Sequence, residues 1–283
     1  MPKKYNYNYE EVKISKTKQT QIDWVAEGKK KLMVWAIGQI DVTLCRNYFR
    51  THRDEDGNKY SFAAYMAYLL GQAILKHPHI NAYMRGRDKL VIFEDVDIVC
   101  IVERKFDDHS RPVPTSYTIR ATQTKHWKDI HEEIRNAQTR KSKGIQYDKK
   151  GKRQASKVKL ITRVPGWIRR WILRRAMADP HQKKRFNGTI GLTSVGMFLD
   201  EAGTGLAITP NTLSFQVGGT EWQPRFNANG ELENREFLSA SFAVDHAIID
   251  GGDAARFIRD FRQMFKNGHG IDFSEPPNAP EEK

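Results

Sequence analysis

A chain of 283 residues with 39% hydrophobic content is long enough to bury the core of one large α/β domain, and it carries a net charge of +13. No stretch has the eighteen or more uninterrupted apolar residues of a membrane-spanning helix, and the start, MPKKYNYNYEEVKISKTKQT, lacks the apolar core of a secretory signal, so a cytoplasmic protein is expected. The two cysteines, Cys45 and Cys100, lie far apart without Cys-x-x-Cys spacing, which predicts buried free thiols and argues against a disulfide framework or a structural metal site.

In chain order, residues 1–11 read as a polar, tyrosine-dotted arm. Residues 12–139 read as strands with two helices, the second being HWKDIHEEIRNAQTR. Residues 140–187 are strongly basic, with KGIQYDKKGKRQASKVK followed by IRRWILRR. Within VPGWIRRWILRRAM, residues 164–177, helical spacing puts Trp167, Ile168, Trp171 and Ile172 on one face, while Arg169, Arg170, Arg174 and Arg175 cover most of the rest. Such a helix can lie on an anionic membrane, carry an acyl-chain pocket or cover the core. No helix-turn-helix, zinc-finger or RNA-recognition signature accompanies the basic runs, so nucleic acid is not expected as a partner.

Residues 188–267 return to strands. EFLSASFAV, residues 236–244, is enriched in apolar residues as a partly buried strand would be. Gly251 and Gly252 then mark a turn, after which Ala254, Phe257, Ile258, Phe261, Met264 and Phe265 recur at helical spacing. His246 therefore sits where a strand ends, a position at which rigid backbone aims a side chain into a cleft. Residues 268–283, rich in proline and charge, read as a flexible tail.

The string His246-Ala-Ile-Ile-Asp250-Gly251, preceded by Asp245, resembles the active-site signature of the acyltransferase core of the 2-oxoacid dehydrogenase complexes. Chloramphenicol acetyltransferase shares that fold and the His-x-x-x-Asp-Gly element. GTIGLTSVGMF, residues 188–198, is similar to the family's Gly-Thr-x-Thr-Ile-(Ser/Thr)-Asn-x-Gly segment, and NTLSFQVGG, residues 211–219, falls where the family has its next core strand. IDVT, residues 40–43, and SFAAYMAYLLGQAILKHPHINAYM, residues 61–84, resemble the strand and long helix of the first half. The resemblance runs from about Val12 to about Asn267, with residues 140–187 as a basic insertion in place of the family's short connection.

The resemblance implies a single catalytic domain over residues 12–267 with a chloramphenicol acetyltransferase-like fold, a two-layer mixed sheet with helices. It also implies a homotrimer with active sites between subunits, and the acidic tail, whose large apolar residues are Ile271 and Phe273, argues for a discrete trimer. Acyl transfer from a thioester needs a base beside the nucleophile and a donor to the oxyanion. Imidazole, with an ordinary pKa of about 6.5, suits the first task, so His246 is the expected general base. Thr193 aligns with the family's oxyanion hydroxyl, and Ser194 takes that role if the register differs by one. In the family the residue matching Asp250 orients the histidine loop through an arginine near the start of the core. Here that stretch, SKTKQTQIDWV, offers Lys18 and Gln19 and no arginine, and Ala247 follows the histidine where the dehydrogenase branch usually has arginine.

The expected activity moves an acyl group between coenzyme A, a substrate here, and a thiol or other nucleophile. With no lipoyl domain expected in this chain, the acceptor is a dihydrolipoyl group on a separate lipoylated carrier protein, or a small molecule. Residues that bind coenzyme A are not identified, and no metal is expected. Two other readings stay open: a non-catalytic trimeric core or scaffold subunit, and a basic protein that binds membrane, through residues 164–177, or nucleic acid.

Overall fold

The computed structural model describes residues 8–104, 113–139, 165–194, 196 and 201–280. The first half holds α1 (Lys16–Gly28), β1 (Met33–Asp41), α2 (Thr43–Thr51), α3 (Phe62–Lys76), β2 (Ala82–Arg85), β3 (Lys89–Ile92), β4 (Ile98–Arg104), β5 (Val113–Ile119) and α4 (Trp127–Thr139). The second holds α5 (Gly166–Ala178), α6 (Pro180–Asn187), β6 (Ile190–Ser194), β7 (Leu213–Phe226), β8 (Leu232–Asp245) and α7 (Gly251–Lys266). Six strands form one sheet in the order β1-β8-β7-β6-β4-β5, and β2 with β3 forms a separate hairpin. The β4–β6 and β6–β7 pairs are parallel and the others antiparallel, so the fold is mixed α/β.

Helix α3 is apolar almost all the way round, and a helix of that kind must be buried on nearly every side. Its residues from Ala64 to Gly71 are all buried, and the Ser61 hydroxyl caps its start by accepting from the Ala64 amide at 3.2 Å. The inner half of the β7–β8 pair is likewise a near-continuous buried run, because helices cover one face and the 201–212 segment lies over the other. On the helical face, Phe261 of α7 meets Phe215 at 5.1 Å, Phe265 at 5.2 Å and Phe242 at 5.5 Å between ring centroids. The outer half of the pair projects from this core and leaves Trp222, Phe226 and Leu232 exposed.

Four helices precede residue 140 among the described residues, where two were expected. The IDVT stretch divides: the strand stops at Asp41, whose carboxylate accepts from the Thr43 amide at 3.1 Å and its hydroxyl at 2.7 Å and so starts α2. Gly251 and Gly252 belong to the first turn of α7 rather than to a preceding turn. Cys45 and Cys100 are free and buried, and burial pushes their thiols up to about 11 and about 12.

One expectation is corrected. The stretch from residue 268, expected to be flexible, is bound to the domain through residue 278. Trp127 donates its indole N–H to the Gly270 carbonyl at 2.8 Å, Glu275 pairs with Lys128 at 2.7 Å, and the Asn278 side chain bonds both backbone groups of Arg53. A few specific contacts hold a segment whose composition suggested none. Of the roles left open for residues 164–177, helix α5 does not cover the core with its tryptophan face: Trp167 and Trp171 point out, while Arg169 is 6% exposed and pairs with Asp23 of α1 at 2.8 Å.

Phe261→Ala should cost about 3–5 kcal/mol in urea unfolding, since it opens a cavity among four other phenylalanines, with the folded-state far-UV spectrum unchanged. A cost below about 1 kcal/mol would show that α7 does not depend on this cluster.

Candidate active site

Strand β8 ends at Asp245, paired in register with Met33 at the start of β1. One residue beyond, the His246 amide donates to the Leu32 carbonyl at 2.8 Å, which carries the β1–β8 ladder past the strand end. Asp245 is buried, and its carboxylate takes a 2.7 Å ion pair from Lys31, whose ammonium also donates to the Asn211 carbonyl at 2.8 Å. The Asp245 carbonyl accepts from the amides of Ile248 at 2.9 Å and Ile249 at 3.0 Å, and Ile249 is fully buried. The turn is therefore fixed from both sides, while the His246 side chain remains exposed with that of Ala247.

A second cation stands beside the Lys31–Asp245 pair. Lys183 of α6 lies over the Tyr83 ring at 4.1 Å, and Lys31 over the same ring at 5.5 Å. Burial and then the neighbouring Lys31 charge push the Lys183 ammonium down to about 7. Burial also lowers Lys31, but Asp245 opposes that by Coulomb attraction and a hydrogen bond. The arrangement is one carboxylate with two amines, both lowered by burial, of which Lys31 alone has the carboxylate as a direct ion-pair partner.

Asp250 immediately precedes α7; its carbonyl accepts from Ala254 at 2.9 Å, and its exposed side chain makes no capping hydrogen bond. The link that the family makes between this position and the start of the core is not made by Asp250 among the described residues. Lys18 is exposed on α1, its amide bonded to the Ser15 hydroxyl, and the buried acid of α1, Asp23, is taken by Arg169. The cation that reaches the histidine turn is Lys31, and it holds the residue before the histidine rather than the one four after it. Sequence reasoning missed Lys31 and Lys183, since nothing separates Lys31 from Lys29 and Lys30 in the same run.

Thr193 and Ser194 close β6, Thr193 half-buried and Ser194 exposed. The ladder sets Thr193 level with Gln216 and Gln216 level with Ser241. Ser241 lies five residues before His246, roughly 17 Å along the strand, and β8 lies two strand spacings from β6 across β7, roughly 10 Å more. Because β6 runs antiparallel to β8, their C-terminal ends lie at opposite ends of the sheet. One chain thus does not bring His246 to either hydroxyl.

The Ser194 end is shaped by glycines. The β7 ladder shifts register between Val217 and Thr220, and the Gly219 amide there donates to the Gly203 carbonyl at 2.9 Å. A Cβ at Gly218 would run into that same carbonyl, so only glycine lets the two backbones approach. No group of three or more His, Cys, Asp or Glu able to hold a metal occurs among the described residues.

A family profile described as "2-oxoacid dehydrogenases acyltransferase (catalytic domain)" matches residues 6–148 and 172–271. The lipoamide acyltransferase component of the branched-chain alpha-keto acid dehydrogenase complex of Bacillus subtilis (strain 168) is 22% identical over 237 residues, 82% of this chain and 46% of that protein. The chain therefore spans less than half the length of that relative. Among solved structures, a probable dihydrolipoamide acetyltransferase from Listeria monocytogenes 4b F2365 superposes with a TM-score of 0.65 at 17% identity, over 95% of this chain and 98% of that one. A dihydrolipoamide acetyltransferase from Azotobacter vinelandii gives 0.66 at 16% identity over 91% of each chain. In that protein a serine 52 positions before a histidine, and an asparagine four positions after it, are studied for their role in the catalytic mechanism. These likenesses establish the fold as that of dihydrolipoamide acetyltransferase cores.

The depressed Lys183 predicts a specific pH dependence. Between about 7 and the ordinary 10.5, the unfolded chain holds a proton on this residue that the folded protein does not, so stability rises with pH across that window. Relative to Lys183→Met, the melting temperature of the unaltered protein should climb between pH 7 and pH 10. A difference that stays constant over that range would mean that Lys183 is fully charged in the fold.

Proposed function

Since the chain belongs to the family of 2-oxoacid dehydrogenase acyltransferase catalytic domains, we propose that it is an acyltransferase moving an acyl group between coenzyme A and a thiol or other nucleophile, with His246 as general base. The observation that carries this reading is the fixed strand end: the His246 backbone is bound to Leu32 and the turn is held by Lys31 and Asp245, while the imidazole stays exposed. In the proposed step the imidazole takes the proton of the acceptor, whose sulfur or oxygen attacks the thioester carbonyl. The tetrahedral oxyanion accepts a hydrogen bond from a protein hydroxyl. Collapse expels the leaving thiolate, which recovers the proton from the imidazolium. Coenzyme A is a substrate in this scheme.

Ser194 is the proposed oxyanion donor. Counting back 52 positions from His246 gives Ser194, and counting forward four gives Asp250, the offsets of the serine and asparagine in the Azotobacter protein. Thr193, on the opposite face of the strand, is the alternative, and only one of the two can face a given neighbour. The hydroxyl and the histidine lie at opposite ends of one sheet, so the site is completed between subunits. A homotrimer of about 98 kDa, three copies of the 32.7 kDa chain, is the closed assembly proposed.

The acceptor is proposed as a dihydrolipoyl group on a separate carrier protein, or a small molecule, in keeping with the lipoamide acyltransferase relative. The protein is proposed to be cytoplasmic. The reading as a non-catalytic core subunit draws on Asp250, whose side chain makes no capping hydrogen bond and has no cationic partner among the described residues.

His246→Ala should lower acyl-transfer turnover by about a hundredfold or more without changing the melting temperature, and Ser194→Ala should cost about a hundred- to a thousandfold in kcat with little change in KM for coenzyme A. Equal losses of stability and activity in His246→Ala would assign the histidine a structural role. Dissociating and mixing the two variants should restore activity at about a quarter of the sites, the fraction expected for random trimers whose sites draw one residue from each of two chains. No recovery in mixed trimers would overturn the shared site.

A further inference from the structure

Trp167 and Trp171 stand 68% and 63% exposed on α5, one helical turn apart. At helical spacing Arg170 and Arg174 share their face and Arg175 borders it, and all three arginines are exposed. The opposite face is occupied. Arg169 is buried in its 2.8 Å pair with Asp23, and Ile168, Ile172, Leu173, Ala176 and Met177 are half-buried around it. The helix is thus held by its inner side, with the indoles and three guanidinium groups turned outward.

The charge of this surface is one-sided. Neither α5 nor the following α6 contains an acid. Asp179, between the two helices, caps α6 by accepting from the His181 amide, and Glu27 of α1 lies 3.8 Å from Arg174 but is held at 2.6 Å by Lys30. The family profile skips residues 149–171, which hold both tryptophans, nine Lys or Arg and no Asp or Glu. Trp167, Trp171 and Arg170 thus fall outside the matched stretches, whereas Arg174 and Arg175 lie within the second.

Indole side chains settle at the level of lipid headgroups, and arginines beside them pair with phosphate. A helix of 13 residues is about 20 Å long and lies flat on such a surface. We propose that the outer face of α5 docks this protein on an anionic lipid bilayer. The inference does not depend on acyl transfer.

The test uses the full-length protein and large vesicles of phosphatidylcholine alone or of phosphatidylcholine and phosphatidylglycerol in equal parts. Sedimentation should recover the protein with the anionic vesicles and not with the zwitterionic ones. Brominated lipid should quench tryptophan fluorescence, and the quenching should be lost in Trp167→Ala/Trp171→Ala. That double variant should lower partitioning about tenfold or more, and Arg170→Gln/Arg174→Gln/Arg175→Gln about a hundredfold, with melting temperatures unchanged because the side chains are exposed. Equal affinity for both vesicle types would overturn the proposal. So would binding that ignores both tryptophans and is abolished by Lys→Gln changes within residues 149–159, which would assign the contact to the preceding segment. A single-stranded oligonucleotide that binds through Trp167 and Trp171 while vesicles do not bind would make the surface a nucleic-acid site and refute the lipid reading.

Discussion

The start of β1 holds the end of β8 by two adjacent bonds, a backbone hydrogen bond from His246 to Leu32 and a buried ion pair from Asp245 to Lys31. The Asp245 amide also donates to the Thr212 carbonyl just before β7, so three chain segments converge on one residue. A buried ion pair is weak evidence for stability, because the cost of desolvating two charges offsets most of their attraction. Its value here is directional. Lys31 has a second acceptor in the Asn211 carbonyl, and the ammonium cannot shift without losing one of two fixed partners. The histidine turn inherits that rigidity, and so does the first turn of α7, which begins five residues later.

The sheet order then decides what a single chain can and cannot assemble. With β6 parallel to β7 and β8 antiparallel to it, the strand ends that present Ser194 and His246 face opposite directions. No loop rearrangement closes a gap of that size without unzipping the central ladder. A catalytic pair drawn from these two residues requires a second copy of the chain, and cyclic symmetry supplies one at each end. Gly218 belongs to the same geometry: a Cβ there would run into the Gly203 carbonyl, so its absence lets that backbone lie against β7 close to the Ser194 end, where the Gly219 amide donates to the same carbonyl.

The parts legible in the sequence were those whose signals are local. The phenylalanine spacing of α7, the apolar run of α3 and the motif around His246 each depend on neighbours within a few turns. The rest depended on distant partners. Helix α1, KTKQTQIDWVAEG, has no apolar stripe; two of its inward residues are Asp23 and Glu27, which meet Arg169 and Arg174 of α5. The segment after α7 looks like a solvated tail by composition, yet Trp127, Lys128 and Arg53 all supply it with partners. Lys31 differs from Lys29 and Lys30 only because β1 begins just after it and brings its side chain under the end of β8.

Helix α5 shows how one buried charge can set the direction of an entire face. An arginine taken out of water is tolerated only with a partner, and Asp23 offers Arg169 a carboxylate as buried as itself. Satisfying that pair fixes the rotation of the helix. At 100° per residue, Trp167 and Trp171 then lie roughly opposite Arg169, whatever the gain from burying them would have been. Turning the indoles inward would remove apolar surface from water but would leave Asp23 buried and unpaired, at a cost of about 3–5 kcal/mol that offsets most of what burying two large side chains returns. The outward aromatic face is thus a consequence of the ion pair behind it, and its cationic rim follows from a helix with four arginines and no acid.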